Sequence, residues 1–150
     1  MHACAAAGTG FLIAVLWFDL MFDVQTRKHG GDTLPAEVLA SISAYYRRVT
    51  TDSRPMNRLV VLVMAVTLLA MAADIVHNAG HRWIELISLA AAASGIGLAI
   101  RRTFRNATRL GRATVSPEKQ TALARAIYRD HIYCLTAMTV SLGLQLIAQR

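Results

Sequence analysis

Asp19 and Asp23 stand four residues apart inside an apolar run. That spacing stacks both carboxylates on one face of a helix, close enough to interact. His131, preceded by Asp130 and followed closely by Tyr133, opens another apolar run, and Arg58 and Arg101 border the remaining two. An acid pair, an imidazole, a phenol and guanidinium groups at one level are the material for proton transfer, or for gripping a polar ligand head. Asp19, Asp23 and His131 are therefore the candidate catalytic residues. The competing reading is a structural ion-pair network in which Arg58 or Arg101 neutralises the aspartates.

A second polar group comprises Asp74, His77, His81 and Glu85, spaced by three, four and four residues. Imidazoles and carboxylates at such spacing can hold a divalent metal, so these four are the candidate metal ligands. No other cofactor is expected. The plainer reading is that they cap the hairpin between two apolar runs.

The runs that must position these groups dominate the composition. Hydrophobic residues make up 55% of the 150 residues and charged residues 17%, yet the formal net charge is +7. A soluble nucleic-acid binder would carry the charge without so many apolar residues, and a disordered chain would lack them. Four runs approach the ~20 apolar residues of a membrane-crossing helix. The expected crossings are about 3–24, 57–77, 83–100 and 131–148, with cytoplasmic segments 25–56 and 101–130 between them. The fold expected is an all-α, antiparallel four-transmembrane-helix bundle with cytoplasmic helical extensions, one integral membrane domain over residues 1–150. No Lys or Arg precedes the first run and two aspartates interrupt it, so it reads as a retained helix rather than a signal peptide.

Fourteen of the 16 Lys and Arg fall between residues 25 and 58 or between 101 and 130. Positive charge marks the cytoplasmic side, which places both termini outside. Arginine outnumbers lysine and alanine is abundant, which points to a GC-rich bacterial genome and a bacterial inner membrane. Cys4 and Cys134 fall in opposite leaflets, too far apart for a disulfide.

The basic segments have helical patterning of their own. Thr33, Pro35 and Glu37 form a helix start, and Val38, Ile42, Tyr45 and Val49 form an apolar stripe. Arg101, Arg105, Arg109 and Arg112 recur along another helical face, a candidate site for anionic lipid headgroups or an acidic partner. Ser116-Pro117-Glu118 starts a helix that leads into the fourth run. Ala91/Gly95, Ala93/Gly97, Ala137/Ser141 and Thr139/Gly143 are small-residue pairs four apart, suited to close helix packing in the bundle or between copies in a homo-oligomer or larger membrane complex. The expected partners are thus the lipid bilayer and other membrane chains, not nucleic acid, and Tyr45, Tyr46 and Phe104 read as interfacial aromatics.

Leu34-Pro35, Tyr45-Tyr46-Arg47-Arg48 and Arg54-Pro55-Met56-Asn57, followed by an apolar run, resemble the anthrone-oxygenase-like group of small four-helix membrane proteins, and Arg129-Asp130-His131 adds a looser match. The resemblance implies a four-helix bundle and a cofactor-free oxidation of a phenolic or anthrone-like substrate. It assigns no catalytic residue. The plainest expectation of function is an accessory or scaffold protein acting through its basic cytoplasmic helices. An embedded enzyme on a lipophilic substrate and a proton-coupled small-molecule carrier are the alternatives.

Overall fold

The structure is a computed structural model describing residues 2–77 and 82–148, with Arg54 described by its backbone alone. Every regular element among the described residues is helical. Helix α1 spans His2–Asp23 and runs on as a 3-10 turn, Val24–Lys28. Helix α2 is Ala36–Arg47, closed by a π-helical turn, Arg48–Asp52. Helix α3 is Arg54–His77. Helix α4, Arg82–Leu98, passes through a second π-helical turn, Ala99–Thr103, into α5, Phe104–Arg112. Helix α6 is Pro117–Ala148.

Four of these stretches are long and apolar enough to cross a membrane: His2–Lys28, Pro55–His77, Arg82–Arg112 and Pro117–Ala148. They pack in a ring in which α6 touches α1 and α4, and α3 touches the same two from the other side. Helices α4 to α5 and α6 run unbroken across the boundaries expected at residues 100 and 131. At ~1.5 Å per residue, the 32 residues of α6 extend well past the ~30 Å of a hydrocarbon layer. The arginines cluster at one end of the bundle, called here the basic end; the opposite end is the far end.

Two cores result. One fills the bundle, with Ala5, Leu12, Val60, Met71, Ala92, Ile96 and Met138 among its buried members. Near the far end, α1 and α3 touch: a Cβ added to Gly8 would collide with the Thr67 hydroxyl. The other core lies under the basic end, where Leu34, Val38, Leu39, Ile42 and Tyr46 meet Ala107, Leu110, Ala124 and Ile127. There α2 lies against α5 so closely that a Cβ on Gly111 would sit 2.6 Å from the Arg47 nitrogen. Only a glycine fits that crossing.

The stripe that α2 buries differs from the one expected. Val38, Leu39, Ile42, Ser43 and Tyr46 are buried, while Tyr45 and Val49 are half-buried. The helix is clasped by α5 and α6 together, so its buried arc is wider than one stripe and reaches Tyr46. The expected Thr33 cap is also displaced. Pro35 stands at the cap, its carbonyl accepting from the Val38 and Leu39 amides at 3.0 Å each. On the third and fourth runs, Gly95 faces Ala137 and Cys134, whereas Gly97 and Gly143 face open space. The small-residue pairs therefore split into a packed face and an unpacked one.

Candidate functional site

Asp19 and Asp23 close the last turns of α1, and their shared face looks across to the middle of α6. His131 sits between them. Its Nδ1 lies 2.7 Å from Asp23 Oδ2 and its Nε2 lies 3.8 Å from Asp19 Oδ2. A carboxylate can only accept, so with Asp23 ionised the proton on Nδ1 belongs to the imidazole. That bond fixes the ring and aims Nε2 at Asp19.

Helix α2 completes the set from below. Tyr46 donates to Asp23 Oδ1 and Tyr45 donates to Asp19 Oδ1, each at 2.6 Å. The chain of contacts is thus Tyr45, Asp19, His131, Asp23, Tyr46: one phenol for each carboxylate and one imidazole between them. Asp23 is fully buried and His131 nearly so, while Asp19 retains some exposure. Phe22 stacks on Tyr45 at 3.9 Å between centroids and 11° between planes, and Tyr45 meets Tyr46 edge-on at 5.3 Å.

The two phenols respond to this setting. Burial pushes the Tyr46 hydroxyl well above the usual tyrosine range, with the Asp23 and Asp19 charges acting the same way. Tyr45 is raised by burial, then by the charge of Asp19 and the bond to it. Both remain donors at any physiological pH.

Asp19, Tyr45, Tyr46 and His131 face a cavity of about 380 Å³ between α1, α3, α4 and α6. The volume is that of a site for a small organic molecule. Its walls are otherwise largely apolar, including Leu16, Val60, Met64, Ile96 and Met138. Each π-helical turn contributes: Val49 and Thr50 from one, Ala99 and Thr103 from the other. Inserting a residue into a helix re-aims side chains, and such turns recur at functional sites. Phe18, Phe22 and Met56, on α1 and α3, line the cavity and are also exposed on the outer surface, so its mouth lies between those two helices. Asp23 does not line it and stands behind His131.

The sequence-derived trio of Asp19, Asp23 and His131 is brought together. Its expected companions are not. Tyr133 points outward and donates to Ser94 at 3.0 Å. Arg58 and Arg101 are exposed, and among the described residues the aspartates meet phenols and an imidazole rather than guanidinium groups. Arg102 serves a different carboxylate: its Nε lies 3.4 Å from Asp130, which also accepts from Thr103 at 3.3 Å. The phenols of the site are Tyr45 and Tyr46, which by sequence alone resemble interfacial aromatics. Their adjacency on α2 is the sequence feature that matches one phenol to each aspartate.

The candidate metal ligands divide: Asp74 and Glu85 line one small chamber, while His77 stands apart from them. His77 is exposed, its Nδ1 2.7 Å from the Ala73 carbonyl of its own helix. His81 lies outside the described residues. Asp74 and Glu85 are buried at the far end, with His2 Nδ1 3.2 Å from Asp74. Among the described residues no three His, Cys, Asp or Glu side chains are grouped to hold a metal ion. Arg101, in the π-helical turn, and Arg105, Arg109 and Arg112, on α5, are all exposed, and the buried residues of α5 include Asn106, Ala107 and Leu110. Comparison with protein-family models, curated proteins and solved structures finds no match for this chain.

Proposed function

We propose that this chain is a membrane-embedded enzyme that moves a proton on a lipophilic molecule held in the cavity. The observation that supports this over a scaffold is the imidazole fixed by a fully buried carboxylate at the wall of an apolar cavity. An accessory protein needs no cavity there, and a structural ion-pair network would have used arginine.

In this reading His131 is the general base. Asp23 orients it and stabilises the imidazolium that forms, and Tyr46 holds Asp23 in turn. Asp19, at the cavity wall and fixed by Tyr45, receives the proton from Nε2 or grips the polar head of the substrate. The apolar walls hold the substrate body and exclude water. A phenolic or anthrone-like carbon acid suits such a site, in keeping with the resemblance of the Leu34 to Asn57 segment. The basic end is cytoplasmic and both termini lie outside a bacterial inner membrane, with the exposed arginines against anionic headgroups.

The test is solvent-deuterium exchange into the acidic C–H of anthrone, by mass spectrometry, in vesicles carrying the purified chain. Wild type should exceed empty vesicles, His131→Gln should fall to the empty-vesicle rate, and Tyr133→Phe should match wild type. Equal exchange in wild type and His131→Gln would sink the proposal.

A further inference from the structure

Most hydrogen-bond donors on the side chains around the cavity are already taken. Tyr45 and Tyr46 give their protons to Asp19 and Asp23, at 2.6 Å each. Thr50 donates to the Tyr46 carbonyl at 2.6 Å, Thr103 to Asp130 at 3.3 Å and Cys134 to the Gly95 carbonyl at 3.3 Å. All five line the cavity. Asp19, when ionised, can only accept. A substrate oxygen entering this space would find each of these groups committed.

Asn57 is the exception. It lies in the first turn of α3, half-buried, and lines the cavity. It is the one polar side chain that α3 brings there, beside Met56, Val60 and Met64. Capping of α3 does not occupy it, because the Met56 and Asn57 backbone amides donate to the Ser53 carbonyl, at 3.1 and 3.3 Å. Among the described residues its side-chain amide has no hydrogen-bond partner. Two N–H donors are therefore free at the cavity wall. Helix α3 stands diagonally across the ring from α6, the helix of His131. Donor and base thus belong to opposite walls.

We propose that Asn57 holds the carbonyl oxygen of the substrate while His131 removes its proton. The substrate is then a polycyclic ketone whose acidic carbon lies across the ring from the oxygen, as in anthrone. This assignment rests on the proton-transfer reading of the cavity. The C–H bond breaks and its proton passes to His131 Nε2. The electron pair runs through the conjugated ring to the oxygen, which becomes an enolate and accepts more strongly from the Asn57 N–H. A donor fixed where negative charge develops acts mainly on the transition state. With the other side-chain donors committed, the oxygen has one place to sit, and that orients the apolar body.

The experiment uses vesicles carrying the purified full chain and two flat tricyclic probes of similar shape, fluorenone and fluorene, of which only fluorenone has a carbonyl. In a Cys4→Ser background each probe is titrated, by its concentration in the membrane, against maleimide labelling of Cys134. Fluorenone should protect at about fivefold lower concentration than fluorene, as expected of one neutral hydrogen bond. Asn57→Leu should need equal concentrations of the two, with fluorene protection unchanged, which shows the cavity intact. Asn57→Asp, close in shape but only an acceptor when ionised, should lose the preference too. His131→Gln should keep the preference. Deuterium exchange into anthrone should fall at least about tenfold in Asn57→Leu. A preference lost in Asn57→Leu supports the donor even where wild type exchanges no deuterium, an outcome that sinks the proton transfer alone. Equal protection by both probes in wild type, or an unchanged preference in Asn57→Leu, overturns the assignment.

Discussion

The imidazole of His131 lies 2.7 Å from the Asp23 carboxylate across 108 positions of chain, and that carboxylate has no exposure to solvent. Such a pair can be reached only when α1 and α6 have packed along their length. The site is thus a late product of the whole bundle rather than of any local motif, and its integrity should report on folding as much as on chemistry.

Removing the Tyr46 hydroxyl should expose that dependence. Tyr46→Phe keeps the ring in the lower core but leaves one oxygen of buried Asp23 without its donor. Hydrogen bonds to charged groups contribute about 1.5–3 kcal/mol. A loss in that range is expected, with Tyr45→Phe costing less because Tyr45 and Asp19 are partly exposed. Unfolding of both variants by denaturant in the same detergent measures the order.

Alkali should destabilise the fold through the same residues. Folding raises both phenols above their ordinary value of about 10. The folded state therefore binds the phenolic protons more tightly than the unfolded state does. The stabilisation is complete below about pH 10 and is lost as pH climbs toward the folded-state values. Tm measured across that range should fall for wild type. It should fall less steeply for the Tyr45→Phe, Tyr46→Phe double variant, whose remaining slope belongs to other groups.

Gly111→Ala should separate the lower core from the bundle. The added methyl would meet the Arg47 nitrogen at 2.6 Å and the Tyr46 carbonyl carbon at 2.9 Å. Backbone cannot yield there as a side-chain tip would, so α2 must shift. Overpacking of this kind typically costs about 1–3 kcal/mol. Limited proteolysis should find faster cutting between Gly30 and Pro35 than in wild type, while the long helices stay protected.

Cys134 offers a way to probe the cavity directly. Its side chain is buried, donates to the Gly95 carbonyl at 3.3 Å and lines the cavity three residues beyond His131. In a Cys4→Ser background, a lipophilic maleimide should modify it slowly, and a molecule seated in the cavity should slow it further. Full labelling that no cavity ligand retards would remove the cavity from the argument.

Much of this was legible in the residues. Apolar length alone located the four long helices, and the Asp19–Asp23 spacing together with His131 picked out three side chains that the fold brings together. The tyrosines escaped because interfacial aromatics and site aromatics look alike until α2 is seen folded back under α1. The arginines misled for a related reason: charge near an acid in sequence says nothing of reach, and Arg58 and Arg101 point outward. The far-end cluster was recognised as polar but assigned partners by spacing along the chain. His77 turned to its own helix.

The Gly8–Thr67 contact pins α1 and α3 at the far end, while the mouth of the cavity lies between the same helices toward the basic end. Under the proposed function the two helices form a hinged clip, and traffic through it is confined to one leaflet. A lipophilic molecule supplied to the other leaflet would have to flip across the bilayer before it could be captured. For slow-flipping compounds, that prior step, not the chemistry at His131, would then set the rate.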